Sequence, residues 1–225
     1  MQEFFLAMPV LLISMVAHEV AHGYAALKQG DDTAQRFGRL TLNPVRHIDP
    51  WLTVLLPLML WFGSNGQFVF GGAKPVPVDP SKYRSYRSGD IIVSSAGIVT
   101  NLLLFAAFVL LAVLIGVAGN SFQVDVPGLA LLQRMMFWGI WLNLLLAFFN
   151  LIPIPPLDGS HILYHLLPPR LAVRYRELSR FGFLPLLALV FFFPQALRVF
   201  LRPAFFLFET ALVITRPFAL TPFPA

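Results

Sequence analysis

The chain has 225 residues, 57% of them hydrophobic and only 12% charged, with a mean hydropathy of +0.73, which excludes an ordinary soluble domain and places it in a bilayer. Its net charge of +5 comes without a long basic run or aromatics interleaved on a polar face, so nucleic acid is not expected as a partner. With no cysteine, disulfides and thiolate ligation are excluded, and any metal must be held by His, Asp or Glu.

A first apolar run from Phe4 to Ala26 is long enough to cross a hydrocarbon core of about 30 Å. It does not read as a cleaved leader, because Glu3 precedes it and no Lys or Arg does. A polar stretch follows, and then the run Trp51 to Phe62, which is too short to cross and is expected to be re-entrant or broken. Gln67 to Phe70 and Ala73 to Val78 carry β-type residues around Gly71-Gly72, which predicts a small hairpin, with Pro75 and Pro77 confining its second half to an edge. Further spans are predicted from Asp90 to Val117 and from Leu129 to Asn150. "LIPIPPLDGSHILYHLLPP" then breaks the helix and resumes it. Phe181 to Leu201 and Ala204 to Ile214 add one crossing or a helical hairpin, interrupted by Pro185, Pro194 and Pro203. The predicted fold is therefore an all-α polytopic membrane protein with four to six transmembrane or re-entrant helices and a small membrane-associated β-hairpin. It forms one domain over 1–225, with a core at 4–168 and C-terminal helices at 181–216.

Charge sets the expected orientation. Lys28, Arg36, Arg39 and Arg46 follow the first span, Lys74, Lys82, Arg84 and Arg87 precede the second, and Arg170, Arg174, Arg176 and Arg180 follow the third. These loops should face the cytoplasm, with the N-terminus and the Lys- and Arg-free connection 118–128 outside.

Inside the first run stands "MVAHEVAHGY". On a helix His18 and His22 lie one turn apart on the same face, about 5 to 6 Å between Cβ atoms, so both imidazoles can reach one ion. Glu19 projects a quarter-turn round, where it can serve as a base without ligating. The bland alternative is a pair of core histidines bonded to neighbouring helices. Ionisable groups within a span cost at least about 2.5 kcal/mol each when charged, which favours the metal. A third ligand could come from His47, Asp49, Asp90, Asp125, Asp158, His161, His165 or Glu177. Asp158 stands out because Pro153, Pro155 and Pro156 break the helix before it and can aim its carboxylate inward. His161 and His165 form a rival i, i+4 pair but have no acidic partner between them. His47 and Asp49 read as turn or capping residues, and Gly97 and Asn101 as helix packing with a supporting role towards substrate.

His18-Glu19-x-x-His22 in one span and Asn150-x-x-Pro153-x-Pro155-x-Leu157-Asp158-Gly159 after a later one resemble the site-2 protease family of intramembrane zinc metalloproteases. The resemblance extends over "GRLTLNPVRHIDP", "GGAKPVPVDP" and Gly97-x-x-x-Asn101, roughly Phe4 to Leu166, in the compact subclass without PDZ or CBS domains. Position 161, commonly arginine in that family, is His here. The resemblance implies one zinc held by His18, His22 and Asp158, with Glu19 activating water and Asn150 supporting the substrate or oxyanion.

The expected activity is zinc-dependent hydrolysis of peptide bonds in the transmembrane segments of single-span proteins, in the cell membrane, at a site nearer the cytoplasmic face. A substrate helix must unwind first, and the stretch Gly71 to Val78 could offer an edge for it. A metal or proton transporter built on the same ligands, or an inactive binding protein of the same fold, are the other readings.

Overall fold

The computed structural model of the chain describes residues 2–55, 58–59, 62, 72–122 and 127–221. Its helices are α1 (Gln2–Gln29), α2 (Thr33–Arg36), α3 (Tyr86–Phe122), α4 (Pro127–Asn150), α5 (Asp158–Leu166), α6 (Pro169–Arg176), α7 (Leu184–Phe192) and α8 (Pro194–Thr215). Three stretches are long and apolar enough to cross a membrane, Glu3–Gln29, Tyr86–Ser121 and Gly128–Asn150. A fourth crossing arises if α7 and α8 together make one bent span. The expected four to six also counted re-entrant helices, among them Trp51 to Phe62, much of which lies outside the described residues.

Two details correct the sequence reading. Of the prolines expected to interrupt the C-terminal helices, Pro194 marks the break, at Phe193 with a bend of 93°, and Pro203 does not. Pro194 has no N–H to continue α7, and Phe193 before it takes a non-helical φ of −128° and ψ of 50°. Pro203 is carried inside α8. The predicted β-hairpin is also not supported, since 72–79 contains no strand. Pro75 and Pro77 cannot donate to a ladder, and the Val76 and Asp79 amides donate to carboxylates instead. Gln67 to Phe70 and Gly71 lie outside the described residues. Of Trp51 to Phe62, Pro50–Leu55 winds as a π-helical turn capped by Asp49, whose Oδ1 accepts from Trp51 N at 2.9 Å, while much of the rest lies outside the described residues.

The chain divides into two compact units, Met1–Ser14 with Ile98–Ala225, and Met15–Gly97. In the first, Ala112, Met136, Phe137, Ile140, Leu144, Ala204 and Ala211 from α3, α4 and α8 form the core. Lipid is as apolar as these side chains, so close packing and polar contacts, rather than escape from water, hold membrane helices together. Asn143 supplies such a contact: its Nδ2 donates to Ser14 Oγ at 2.8 Å and to Gly139 O at 2.9 Å, and its Oδ1 accepts from Asn101 Nδ2 at 2.9 Å. All three polar side chains are fully buried, and together they tie α1, α3 and α4. Glu3 adds a second tie to α4 by pairing with Arg134 and accepting from Trp138 Nε1.

The second unit contains the C-terminal half of α1. That helix ends where Gly30 takes a φ of +106°, with Gly30 N on Leu27 O and Asp31 N on Ala26 O, the paired bonds of a Schellman stop. Asp31 is fully buried just beyond. It accepts from Thr33 N, Thr33 Oγ1 and Asp79 N, with Lys82 Nζ at 3.6 Å, and so fastens the extended segment 72–79 to the end of α1. Burial alone would raise its pKa, but the Thr33 and Asp79 hydrogen bonds and Lys82 hold it below the usual carboxylate range. The lowered value means this fastening is fully present above the unfolded pKa of about 3.9 and is lost as pH falls through the folded one.

Candidate metal centre

His18 and His22 stand on successive turns of α1, and their Nε2 atoms are 3.0 Å apart. His18 is buried, 7% exposed. His22 Nδ1 lies 2.7 Å from Val93 O. A carbonyl only accepts, so Nδ1 carries the proton and the Nε2 lone pair of His22 is turned towards His18. Fixing the tautomer through the far ring nitrogen is the usual way a protein prepares an imidazole for a metal. Two nitrogens bound tetrahedrally at about 2.0–2.1 Å from one zinc stand about 3.3 Å apart, close to the spacing observed. The pair fits the ion.

Gly97 provides a second test. A Cβ on it would sit 2.4 Å from His18 Cε1, 2.5 Å from His18 Nε2 and 2.6 Å from His22 Nε2. The backbone of α3 therefore passes directly against both Nε2 atoms, and any side chain there would take the space between them and α3. Val93, whose carbonyl orients His22, is one turn earlier on α3. Sequence reading gave Gly97 a packing role and missed Val93, although residues 93, 97 and 101 make one stripe at i, i+4 spacing.

Glu19, one residue past His18, is half-buried, and its Oε2 accepts from Val76 N at 2.8 Å. Val76 was expected to present an edge to substrate, yet its only donor is already engaged. Asp158 is the first residue of α5. A tight return of the chain sets it there, with Ile154 N on Ile152 O and Leu157 N on Ile154 O, and a Cβ on Gly159 would meet Leu151 O at 2.2 Å. Tyr175 Oη pins the return by donating to Pro153 O at 2.9 Å. Asn150 ends α4, and its Nδ2 donates to Leu146 O at 3.0 Å, which leaves the amide's second N–H for another acceptor.

His18 and His22 offer two facing nitrogens, and Asp158 a carboxylate, as candidate ligand atoms for an ion. His161 is exposed, and His165 is buried with its ring edge-on to Tyr164. His47 is a fully buried turn residue whose Nε2 donates to Thr41 O at 2.9 Å.

Known proteins are similar to this chain. Residues 125–190, which include Asn150 and Asp158, match the model of peptidase family M50. "Putative zinc metalloprotease YwhC" of Bacillus subtilis (strain 168) is 40% identical over 182 residues, covering 80% of this chain and 77% of that protein. "Putative zinc metalloprotease Rip2" of Mycolicibacterium smegmatis is 30% identical over 187 residues, covering 83% and 67%. No solved structure matches. Since the first of these relatives matches the chain over most of both lengths, the protein belongs to peptidase family M50, the site-2 protease family.

Proposed function

We propose that the chain is an intramembrane endopeptidase that hydrolyses peptide bonds within the transmembrane segments of single-span membrane proteins. Family membership makes it a zinc-dependent protease, and its apolar helices make it an integral membrane protein. The observation that carries the finer reading is the facing His18–His22 pair, with Glu19 beside it, on a helix long enough to cross the bilayer. His18, His22 and Asp158 would hold one zinc, which when bound polarises a carbonyl and makes water acidic enough to lose a proton near neutral pH.

The chain's own groups do the rest. Glu19 takes the proton from the attacking water and passes it to the leaving amine, and the second N–H of Asn150 donates to the developing oxyanion. His22 stays in one tautomer because Val93 O holds its Nδ1–H. α1 ends at Gln29, seven residues past His22 and eleven past His18, so the two sit about 10 Å and 16 Å from its end along the axis, within reach of water entering from that side. The basic residues of the loops support a cytoplasmic location for that side. A single cysteine at Ser81 in this cysteine-free chain should be labelled from inside only; labelling from outside in intact cells would reverse the orientation.

The decisive comparison is wild type against Glu19→Gln, purified and incubated with a single-span protein with and without a zinc chelator. Cleavage should be chelator-sensitive in wild type and fall by at least about 100-fold in the variant while zinc content stays the same. A variant that still cleaves, or a wild type indifferent to zinc, rules the mechanism out.

A further inference from the structure

We infer that the backbone amide of Val76 is a dedicated positioning group for the Glu19 carboxylate. The inference rests on the reading above, in which Glu19 is the base, and identifies what aims it. In Pro75-Val76-Pro77 both flanking residues lack an N–H, so Val76 carries the sole backbone donor of the tripeptide. That donor is 2.8 Å from Glu19 Oε2. Two prolines also stiffen the segment, which lowers the entropy lost in holding one N–H against one oxygen.

The helix side is shaped for the same approach. Gly23 lies one turn beyond Glu19 on α1, and a Cβ there would fall 2.8 Å from Val76 Cγ1, 2.7 Å from Leu40 Cδ2 and 3.0 Å from Ala34 Cβ. Without a side chain at position 23, Val76 packs onto the helix surface and is buried, 6% exposed. The Asp31 carboxylate, accepting from Asp79 N at 2.6 Å, holds the segment three residues further on. Glycine, prolines and aspartate thus converge on delivering one amide to one carboxylate. A hydrogen bond to an ionised group is short and strong, so it fixes the rotamer of Glu19 and leaves its other oxygen for the proton.

The test uses the full-length protein in detergent and a synthetic single-span peptide with an Asn-Pro pair in its apolar segment, so that substrate unwinding does not limit the rate. Val76→Pro removes the N–H, whereas Val76→Ala keeps it. Val76→Pro should retain zinc and KM but lose about 10- to 100-fold in kcat, the cost of an approximately 1 Å misplacement of a reacting group. Val76→Ala should recover most of that loss. Equal losses in the two variants, or a loss carried by KM, would assign Val76 to packing or substrate binding and overturn the inference.

Amide hydrogen exchange decides the matter even if Val76→Pro fails to fold. The Val76 amide should be protected in wild type and lose at least 10-fold of that protection in Glu19→Ala, while the Asp79 amide keeps its own. Exchange at Val76 that ignores Glu19 overturns the inference. Because this measurement needs no substrate, it stands apart from failure of the protease reading, which would show as a wild type that cleaves nothing.

Discussion

Replacing His22 by alanine is expected to remove zinc from the purified protein and abolish proteolysis, and Asp158→Ala should do the same, whereas His161→Ala keeps zinc at the wild-type level. The effect should exceed the 10- to 100-fold lost when a group that merely orients a ligand is removed, because a catalytic zinc site has three protein ligands and two cannot fix its geometry. His22 also loses more than a lone pair. Its ring bridges Val93 O on α3 and the His18 nitrogen on α1, so the alanine also removes a hydrogen bond that joins the two helices. Metal analysis after dialysis, alongside a thermal melt with and without added zinc, separates the two consequences. Wild type should be stabilised by zinc and His22→Ala should not. If Asp158→Ala retains full occupancy and His161→Ala loses it, the ligand set proposed here is wrong.

The parts of this site that sequence made legible are those that a single helix determines. The i, i+4 spacing of His18 and His22 places both rings on one face whatever surrounds them, and the structure brings their Nε2 atoms to 3.0 Å. The three long spans were legible for a similar reason, since bilayer thickness demands a minimum apolar length. What escaped was set by neighbours distant in sequence. Val93, Gly97 and Val76 act through a carbonyl, a missing side chain and an amide, and a backbone group or an absence leaves little trace in a residue pattern. The β propensity of Ala73 to Val78 makes no hairpin because the few N–H groups of this proline-containing stretch have other partners. Two of them, on Val76 and Asp79, go to carboxylates on or just beyond α1. Of the prolines expected to interrupt the C-terminal helices, Pro194 does mark a break, whereas the last helix absorbs Pro203.

Gly97→Ala is expected to be as damaging as loss of a ligand, although it adds only one methyl group and replaces no ligand. The methyl carbon would lie 2.4 to 2.6 Å from three imidazole atoms of His18 and His22, well inside the 3.0 Å that real Cβ atoms essentially never breach. Neither ring can simply swing aside. His22 is held through Nδ1 by Val93 O, one turn away on the same helix as the intruding methyl, and His18 is buried. The remaining relief is for α3 to back away from α1, which stretches the His22–Val93 hydrogen bond and opens the close helix packing that glycine permits. Overpacking of this kind costs about 1–3 kcal/mol in stability, so the protein should still fold. The Nε2 pair, however, would lose both the spacing and the space that an ion requires. Zinc content should therefore drop at least 10-fold and activity at least 100-fold, with the larger fall in activity because a ligand displaced by a few tenths of an ångström also misdirects Glu19 relative to the bond it serves. A control at Gly139, where a Cβ would meet the Phe108 ring at 2.5 Å, imposes a comparable clash between α3 and α4 away from the histidines. If Gly139→Ala lowers zinc content as much as Gly97→Ala, the damage is general misfolding; loss confined to Gly97→Ala identifies that glycine as the wall of the metal site.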